Sequence, residues 1–161
     1  TKVIPGVAIE NIEREEVEGV ADLGRFFKLD RLHADFRIGD AKADALWGES
    51  LKNACRERAD QVVIATANGQ LIGVVTCFLV RETEEYLAGR VCDLVHVVVD
   101  PAWRGKGVGK AMITRAVAWA RNEAKFVQVG TQARNYAANA LYHRMGFDLV
   151  HSQYSMHGYW P

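Results

Sequence analysis

The glycine-rich turn at residues 104–110 is the segment of the sequence whose residue types best suit ligand binding. Glycines occupy alternate positions in it: Gly105, Gly107 and Gly109. Without a Cβ, such a backbone turns tightly and lets a ligand approach closely. A predicted helix follows, so unpaired N–H groups and the positive end of the helix dipole face the same space. Positive side chains flank it at Arg104, Lys106 and Lys110. The turn therefore predicts a phosphate-binding site.

Two common phosphate-binding loops do not match this turn. A P-loop requires Ser or Thr after its Gly-Lys pair to hold magnesium, whereas Ala111 follows Lys110. A dinucleotide-binding loop requires a third glycine three residues after the second, and Lys110 occupies that position after Gly107. A tight strand-to-helix connection without a ligand is the remaining alternative.

The elements that must position the turn follow from hydrophobic spacing and turn residues. The apolar run Val91–Val99 predicts a strand covered on both faces, ending at Asp100-Pro101. Asn68-Gly69 predicts a two-residue hairpin turn between strands Gln61–Ala67 and Gln70–Val80. Before the glycine turn, the other predicted elements are a strand through Val7, Ile9 and Ile12, helices over 15–32 and from Asp40 to about 58, and a loop over 81–90. After the turn, they are a helix that begins at the turn, a strand over 126–130, a helix over 135–145 ended by Gly146, and one or two strands over 147–159. The order β-α-α-β-β-β-α-β-α-β predicts an α/β fold with a mixed central sheet flanked by helices.

Composition narrows the class of protein. The 161 residues are 49% hydrophobic and 25% charged, which is typical of one soluble globular domain over residues 1–161. The charges balance, with Lys plus Arg 20 and Asp plus Glu 20, so a nucleic-acid binder is not expected. No apolar run approaches a membrane span and no signal-peptide pattern is visible. Three cysteines without a C-x-x-C pair predict buried thiols in a reducing, cytoplasmic protein, and the histidines lack metal-ligand spacing, so no metal is expected.

Two segments resemble the GNAT acetyltransferase family. Residues 97–110, Val-Val-Val-Asp-Pro-Ala-Trp-Arg-Gly-Lys-Gly-Val-Gly-Lys, are similar to its acyl-CoA-binding signature [QR]-x-x-G-x-[GA], which follows a strand ending in Val-Asp-Pro. Residues 135–147 are similar to its N-x-x-A-x-x-L-Y-x-x-x-G-F element, with matches at Asn135, Ala138, Leu141, Tyr142, Gly146 and Phe147. Two matches in the family's order are more specific than either alone, and the predicted order of elements agrees with the family's fold.

The resemblance implies an enzyme that moves an acetyl group from acetyl-CoA directly to a primary amine. It implies that backbone groups of the strand contact the pantetheine arm, at Val97, Val98 and Val99. It implies that N–H groups of the turn hold the pyrophosphate, at Arg104, Gly105, Lys106, Gly107, Val108, Gly109 and Lys110. Asn135 would contact the CoA arm, and Tyr142 would protonate the leaving thiolate. A phenol is protonated at neutral pH and suits that role, although an aromatic in the core is the alternative for Tyr142.

The general base has three candidates: Asp93, His96 and water. Asp93 precedes Arg104 by the spacing at which some members of the resembled family carry a basic carboxylate. His96 is closer to the predicted site and has a reference pKa near neutrality. On a regular strand the two side chains would point to opposite faces, so at most one would face the acceptor. Each is also interpretable as a buried, hydrogen-bonded polar residue.

The acceptor is not derivable from residue chemistry alone. Residues 30–38, 42–47, 128–135 and 152–157 resemble a GNAT subgroup that includes TDP-fucosamine acetyltransferase, which implies the amine of a nucleotide-linked amino sugar. In that interpretation Arg37, Arg134 and His33 could meet a diphosphate, and Phe36 or Tyr154 could stack on a ring. The alternatives are a protein N-terminus, a small free amine, or a sensor module that binds acyl-CoA without catalysis. A homodimer is expected because dimers are frequent in the resembled family.

Overall fold

A five-stranded mixed sheet forms the centre of the computed structural model, which describes residues 4–83 and 87–160. The strands lie in chain order across it: β1 (Val7–Ile12), β2 (Gln61–Ala67), β3 (Gln70–Val80), β4 (Val91–Val99) and β5 (Phe126–Val129). The first three pairs are antiparallel and β4 pairs with β5 in parallel. Of the predicted loop over 81–90, residues 84–86 lie outside the described part of the chain, and a short 3-10 turn occupies Arg81–Thr83.

The β2–β3 hairpin forms as the sequence predicts. Asn68 and Gly69 connect the strands with φ angles of 50° and 75°. Both values are positive, as a two-residue type I′ turn requires.

Helices cover both faces of the sheet. They are α1 (Asp40–Asn53), which continues as a single π turn over Ala54–Arg58, α2 (Val108–Glu123) and α3 (Tyr136–Arg144). Neighbouring strand residues point to opposite faces: Val74 packs with Leu51 of α1, and Val75 packs with Met112 of α2. We call these the α1 face and the α2 face. The α/β class and the mixed sheet flanked by helices are confirmed.

The prediction of one helix over residues 15–32 is wrong in the length of the helix. Only a 3-10 helix, Val20–Phe26, forms there, and turns follow up to Gly39. The apolar residues that gave the helical spacing still face inward, with Val20 and Leu23 buried on the α1 face. A glycine precedes this 3-10 helix, Gly19, with a φ of 76°. The helix predicted from Asp40 begins as expected, but Gly39 is its N-cap and Asp40 its first helical residue.

A contact between two glycines joins the 3-10 helix to α1. A Cβ on Gly24 would lie 2.3 Å from the backbone nitrogen of Gly48, and a Cβ on Gly48 would lie 2.7 Å from the carbonyl oxygen of Ala21. Real Cβ atoms do not approach backbone this closely, so the two segments pack backbone against backbone.

The strands predicted over 147–159 are wrong. No described residue after α3 belongs to a strand, and side chains such as Tyr154 are almost fully exposed. The segment is held instead by side chains, because His157 and Tyr159 both hydrogen-bond to the carboxylate of Asp35. These bonds direct the end of the chain to the loop at residues 30–38 and not to the edge of β5.

The three cysteines are buried and free, as expected. None of the helices in the described ranges has the length and apolar character needed to span a bilayer.

Candidate active site

Strands β4 and β5 stay together over four residues only. Val91 to Leu94 pair with Phe126 to Val129, and β4 then continues to Val99 without β5 beside it. The N–H of Asp100 donates to the carbonyl of Ile72 on β3, so by alternation Val98 also bonds to β3. The backbone groups of Val97 and Val99 therefore face the open side. The carbonyl of Val99 accepts from the side chain of Arg104. Among the described residues, no strand pairs with the other backbone groups of Val97 and Val99, so this strand edge can bind an extended ligand with amide groups.

The glycine turn closes one end of this open edge. Asp100 accepts a hydrogen bond from the N–H of Ala102 and caps a short 3-10 helix, Pro101–Trp103, which reverses the chain at the end of β4. Gly105 and Gly107 follow with φ angles of 74° and 91°, and Gly107 is the N-cap of α2. Within the described residues, no acceptor takes the N–H groups of residues 105–108. A Cβ at Gly107 would meet only Ile4, at 3.9 Å, so the space above the turn is open.

Arg104 differs from the other residues of the turn. Its N–H is occupied by the carbonyl of Pro101 at 3.2 Å. Its guanidinium donates through Nε to the carbonyl of Val99 at 3.0 Å and through Nη2 to the carbonyl of Phe26 at 3.3 Å. The backbone donors that remain for a phosphate therefore begin at Gly105, and the Arg104 side chain is directed toward the 3-10 helix.

Helix α3 brings its predicted residues to the α2 face beside the open edge. Asn135 is the N-cap, and its Oδ1 accepts from the N–H of Ala138 at 3.3 Å. Tyr142 is buried in the same core as Val97 and Val99, with its ring 6.0 Å from that of Phe147. Burial raises the pKa of Tyr142 to about 12, so its phenol is protonated at neutral pH. No described residue hydrogen-bonds to its hydroxyl.

A β-bulge changes the expected facing of the two base candidates. Thr76 of β3 pairs with His96 and the next residue, Cys77, pairs with Leu94, so Val95 is the extra residue on β4. Leu94 and Val97 both pack on the α2 face in consequence. Asp93 and His96 therefore share the α1 face, and the expectation that they point to opposite faces is wrong.

His96 is buried and fully hydrogen-bonded. Its Nδ1 lies 2.7 Å from the hydroxyl of Thr76 and its Nε2 lies 3.0 Å from the hydroxyl of Ser50. Phe27 and Trp47 cover the imidazole, with ring centroids 6.2 Å and 6.0 Å away. Burial, assisted by repulsion from Arg58, lowers the pKa of His96 to about 4. The side chain is thus a neutral, fixed part of the α1 face at neutral pH.

Asp93 lies in a different environment. It is half-buried beside Gln128, its register partner on β5. Burial raises the pKa of the carboxyl, and a hydrogen bond from Gln128 opposes part of that change. A carboxylate with a raised pKa is a better proton acceptor than an exposed one.

A network of charged side chains connects the loop at residues 27–39 to α1. The His33 side chain, 4% exposed, lies between two carboxylates, with Nδ1 2.5 Å from Asp30 and Nε2 2.9 Å from Asp44. Lys28 also pairs with Asp44, at 2.5 Å. Arg134, from the segment between β5 and α3, donates to the carbonyl of Asp30 at 3.4 Å. His33 is thus structural and is not available to meet a diphosphate.

Sequence reasoning missed the partners that hold this face together. Ser50 and Thr76 bond to His96, and the rings of Phe27 and Trp47 stack at 4.7 Å. Helical spacing placed Ser50 on α1, but nothing in the sequence related it to a strand residue 46 positions away. No group of three or more His, Cys, Asp or Glu side chains in the described ranges is arranged to hold a metal ion.

The family model described as the acetyltransferase (GNAT) family matches residues 26–147, which is well over half of the chain. The chain belongs to the GNAT acetyltransferase family. The match includes β4, the glycine turn and α3, so the resemblance of residues 97–110 and 135–147 is confirmed at the level of the family and of its acyltransferase class. GNAT enzymes use acetyl-CoA as the acyl donor.

Proteins similar in sequence or structure to this chain include further acetyltransferases. The spore coat polysaccharide biosynthesis protein SpsD of Bacillus subtilis (strain 168) is 28% identical over 92% of this chain and 49% of its own length. The N-acetyltransferase MJ1207 of Methanocaldococcus jannaschii is 26% identical over 91% of this chain and 62% of its own length. The chain therefore spans about half to three fifths of these relatives. Among solved structures, aminoglycoside N-acetyltransferase AAC(6')-Iy, in complex with CoA, shares the fold with a TM-score of 0.61 at 19% identity, covering 94% of each chain.

The environment of His96 predicts a pH dependence of stability in this GNAT chain. The folded pKa of about 4 lies below the ordinary value near 6.5, so between these values the unfolded chain binds the extra proton. The contribution of the neutral His96 to the free energy of unfolding should therefore be fully present above pH 6.5. It should fall as the pH drops toward 4, by about 1 kcal/mol per pH unit. Urea unfolding between pH 7 and pH 5 measures this slope.

Replacement of His96 by Gln should flatten that slope, since the amide has no proton to bind. The matched control is His151→Gln, at an exposed position, which should keep the slope of the parent chain. Equal slopes in the parent and the His96 variant would show that this imidazole does not titrate as its surroundings imply.

Proposed function

We propose that this GNAT chain transfers an acetyl group from acetyl-CoA directly to the primary amine of a nucleotide-linked amino sugar. The observation that carries the transfer is the open edge of β4, which ends at the glycine turn, where α2 begins without a side-chain cap from any described residue. The sugar class is supported by similarity over 92% of the chain to a relative named for polysaccharide biosynthesis. It is also supported by the residues 30–38, 128–135 and 152–157 that resemble the TDP-fucosamine acetyltransferase subgroup.

The donor would bind along β4 and end at the turn. The N–H and carbonyl of Val97 and the N–H of Val99, whose carbonyl is bonded to Arg104, would pair with the amides of the pantetheine arm, as an added strand would pair. N–H groups from Gly105 to Lys110 would hold the pyrophosphate at the positive end of α2. Asn135 uses its Oδ1 as a helix cap, which leaves its amide nitrogen for the CoA arm.

Replacing Gly107 by Glu should abolish acetyl-CoA binding. A side chain there enters the open space above the turn and places a carboxylate where the pyrophosphate would lie. Calorimetric titration with CoA measures the effect on the folded variant. Gly69→Glu is the matched control, because Gly69 has a similar positive φ, in the hairpin turn, and nothing within 4 Å of a Cβ. Unchanged CoA affinity in the folded Gly107 variant would contradict the donor site.

The transfer requires one bond to form and one to break. The neutral amine attacks the thioester carbonyl, and a backbone N–H on the open edge stabilises the resulting oxyanion. Asp93, directly or through water, would take the amine proton, because its pKa is raised and it lies on the α1 face. When the C–S bond breaks, Tyr142 would donate to the developing thiolate from the α2 face. In this assignment His96 positions α1 through Ser50 and does not itself take the proton.

Replacing Tyr142 by Phe should keep the fold and the CoA affinity and lower kcat by a factor of about 10²–10⁴, the range for a positioned proton donor. The control is Tyr136→Phe, since Tyr136 begins the same helix and is exposed. Steady-state CoA release and thermal unfolding separate the two effects. A variant with normal kcat and reduced stability would assign Tyr142 to packing alone.

The acceptor would bind on the α1 face, where the acetyl group emerges. Phe27 and Trp47 form a stacked aromatic surface over His96, of the kind that accommodates a sugar ring. On the loop that joins the 3-10 helix to α1, the guanidinium of Arg37 lies 4.6 Å and 4.4 Å from the ring centroids of Phe36 and Tyr159. This surface combines aromatic and cationic groups, whereas a cationic peptide or polyamine would favour an acidic one.

The acceptor class is decided by comparing kcat/KM for a TDP-linked amino sugar with that for peptides bearing free N-termini and for polyamines. We expect the nucleotide sugar to give the highest value because only it offers both a ring and a phosphate group to these residues. Saturation by a peptide alone would remove the sugar and leave protein N-terminal acetylation. The absence of CoA release with every amine, together with intact CoA binding, would indicate a sensor.

A further inference from the structure

An open depression of about 380 Å³ lies beside the glycine turn and is not used by the donor site described above. Its lining residues are Arg25, Phe26, Lys28, Pro101 and Arg104. Three of the five are cations and none is an anion. The depression therefore favours a negatively charged ligand.

Two of these cations are available to such a ligand. Lys28 is partly neutralised, because its Nζ lies 2.5 Å from Asp44. Arg25 and Arg104 form no ion pair with any residue the structure describes. The guanidinium of Arg104 donates to the carbonyls of Val99 and Phe26, and the guanidinium of Arg25 lies 5.0 Å from the centroid of the Phe26 ring. Guanidinium groups suit phosphate oxygens.

The depression lies on the acceptor side of β4. Phe26 ends the 3-10 helix that packs on the α1 face, whereas Val108, in the first turn of α2, is buried in the core of the α2 face. The 3-10 helix that carries Arg25 thus approaches the end of β4 from the α1 face, and the first turn of α2 approaches it from the α2 face, while Arg104 contacts the carbonyl of Val99 between them.

The distance along β4 fits an acceptor with a phosphate group. Val95 at the bulge and Val99, whose carbonyl holds Arg104, are four residues apart, or about 13 Å at the rise of a strand. An amine reacting near the bulge could therefore belong to a sugar whose diphosphate reaches Arg104 and Arg25.

We infer that Arg25 and Arg104 form a binding site for the diphosphate of the acceptor, separate from the site that holds the pyrophosphate of CoA. This inference rests on the proposed function in its choice of acceptor. The diphosphate is thereby assigned to cations that line an open space, and no longer to His33, which is buried between carboxylates.

Arg25→Ala tests the site, because the Arg25 side chain is exposed and donates to no backbone carbonyl among the residues that the structure describes. Thymidine diphosphate is titrated into protein saturated with CoA, so that the glycine turn is already occupied. We expect the variant to bind thymidine diphosphate about tenfold more weakly, as the loss of one charge-assisted contact predicts. Arg121→Ala, which removes an arginine near the end of α2 distant from the depression, should bind as the parent chain does. Equal affinity in the parent and the Arg25 variant would overturn the site.

Kinetics distinguish the acceptor's diphosphate from the phosphates of CoA. With a TDP-linked amino sugar, Arg25→Ala should raise the KM of the sugar about tenfold and leave the KM of acetyl-CoA unchanged. An increase in the KM of acetyl-CoA alone would assign the depression to the donor and overturn the inference. If no nucleotide sugar is acetylated but thymidine diphosphate still binds through Arg25, the anion site stands and the proposed acceptor is wrong.

Discussion

The separation of β4 from β5 after Leu94 is the constraint on which the arrangement of the candidate site depends. Had β5 continued, its backbone would satisfy Val97 and Val99, and no edge would remain for an extended ligand. The bulge at Val95 lies at the first residue beyond the shared register. An extra residue there increases twist and bends the strand, which is the physical means of parting two neighbouring strands.

The bulge also determines which side chains share a face of the sheet. Because it shifts the alternation by one residue, a half-buried carboxylate and a buried imidazole lie on one face, while Val97 and Tyr142 lie on the other. In the proposed assignment, the groups that bind the donor come from two short stretches of chain, 97–110 and 135–142. Acceptor-side groups come from α1, the 3-10 helix, the loop at 27–39 and the end of the chain, which side-chain bonds bring together.

The elements that the sequence predicts correctly are those with local signals. The hairpin follows from Asn68-Gly69, the glycine turn from its spacing, and the end of α3 from Gly146, whose φ of 88° requires a residue without a Cβ. The bulge is not predictable, because the apolar run of β4 has no alternation that a one-residue shift could interrupt. The segment at 15–32 has helical spacing, but the close packing of Gly24 on Gly48 is a tertiary contact that spacing does not reveal. The roles of His33 and Arg104 also depend on distant partners, Asp44 and Phe26.

The division of the interior into two cores by one sheet has a consequence for evolution and for protein engineering. Substitutions on opposite faces share few contacts, so their effects on stability should be nearly additive. In the proposed assignment, a library that varies Phe27, Phe36, Arg37 and Trp47 would sample new acceptors while β4, the glycine turn and α3 keep their geometry for the donor. The fold separates the part of the molecule that can diversify from the part that cannot.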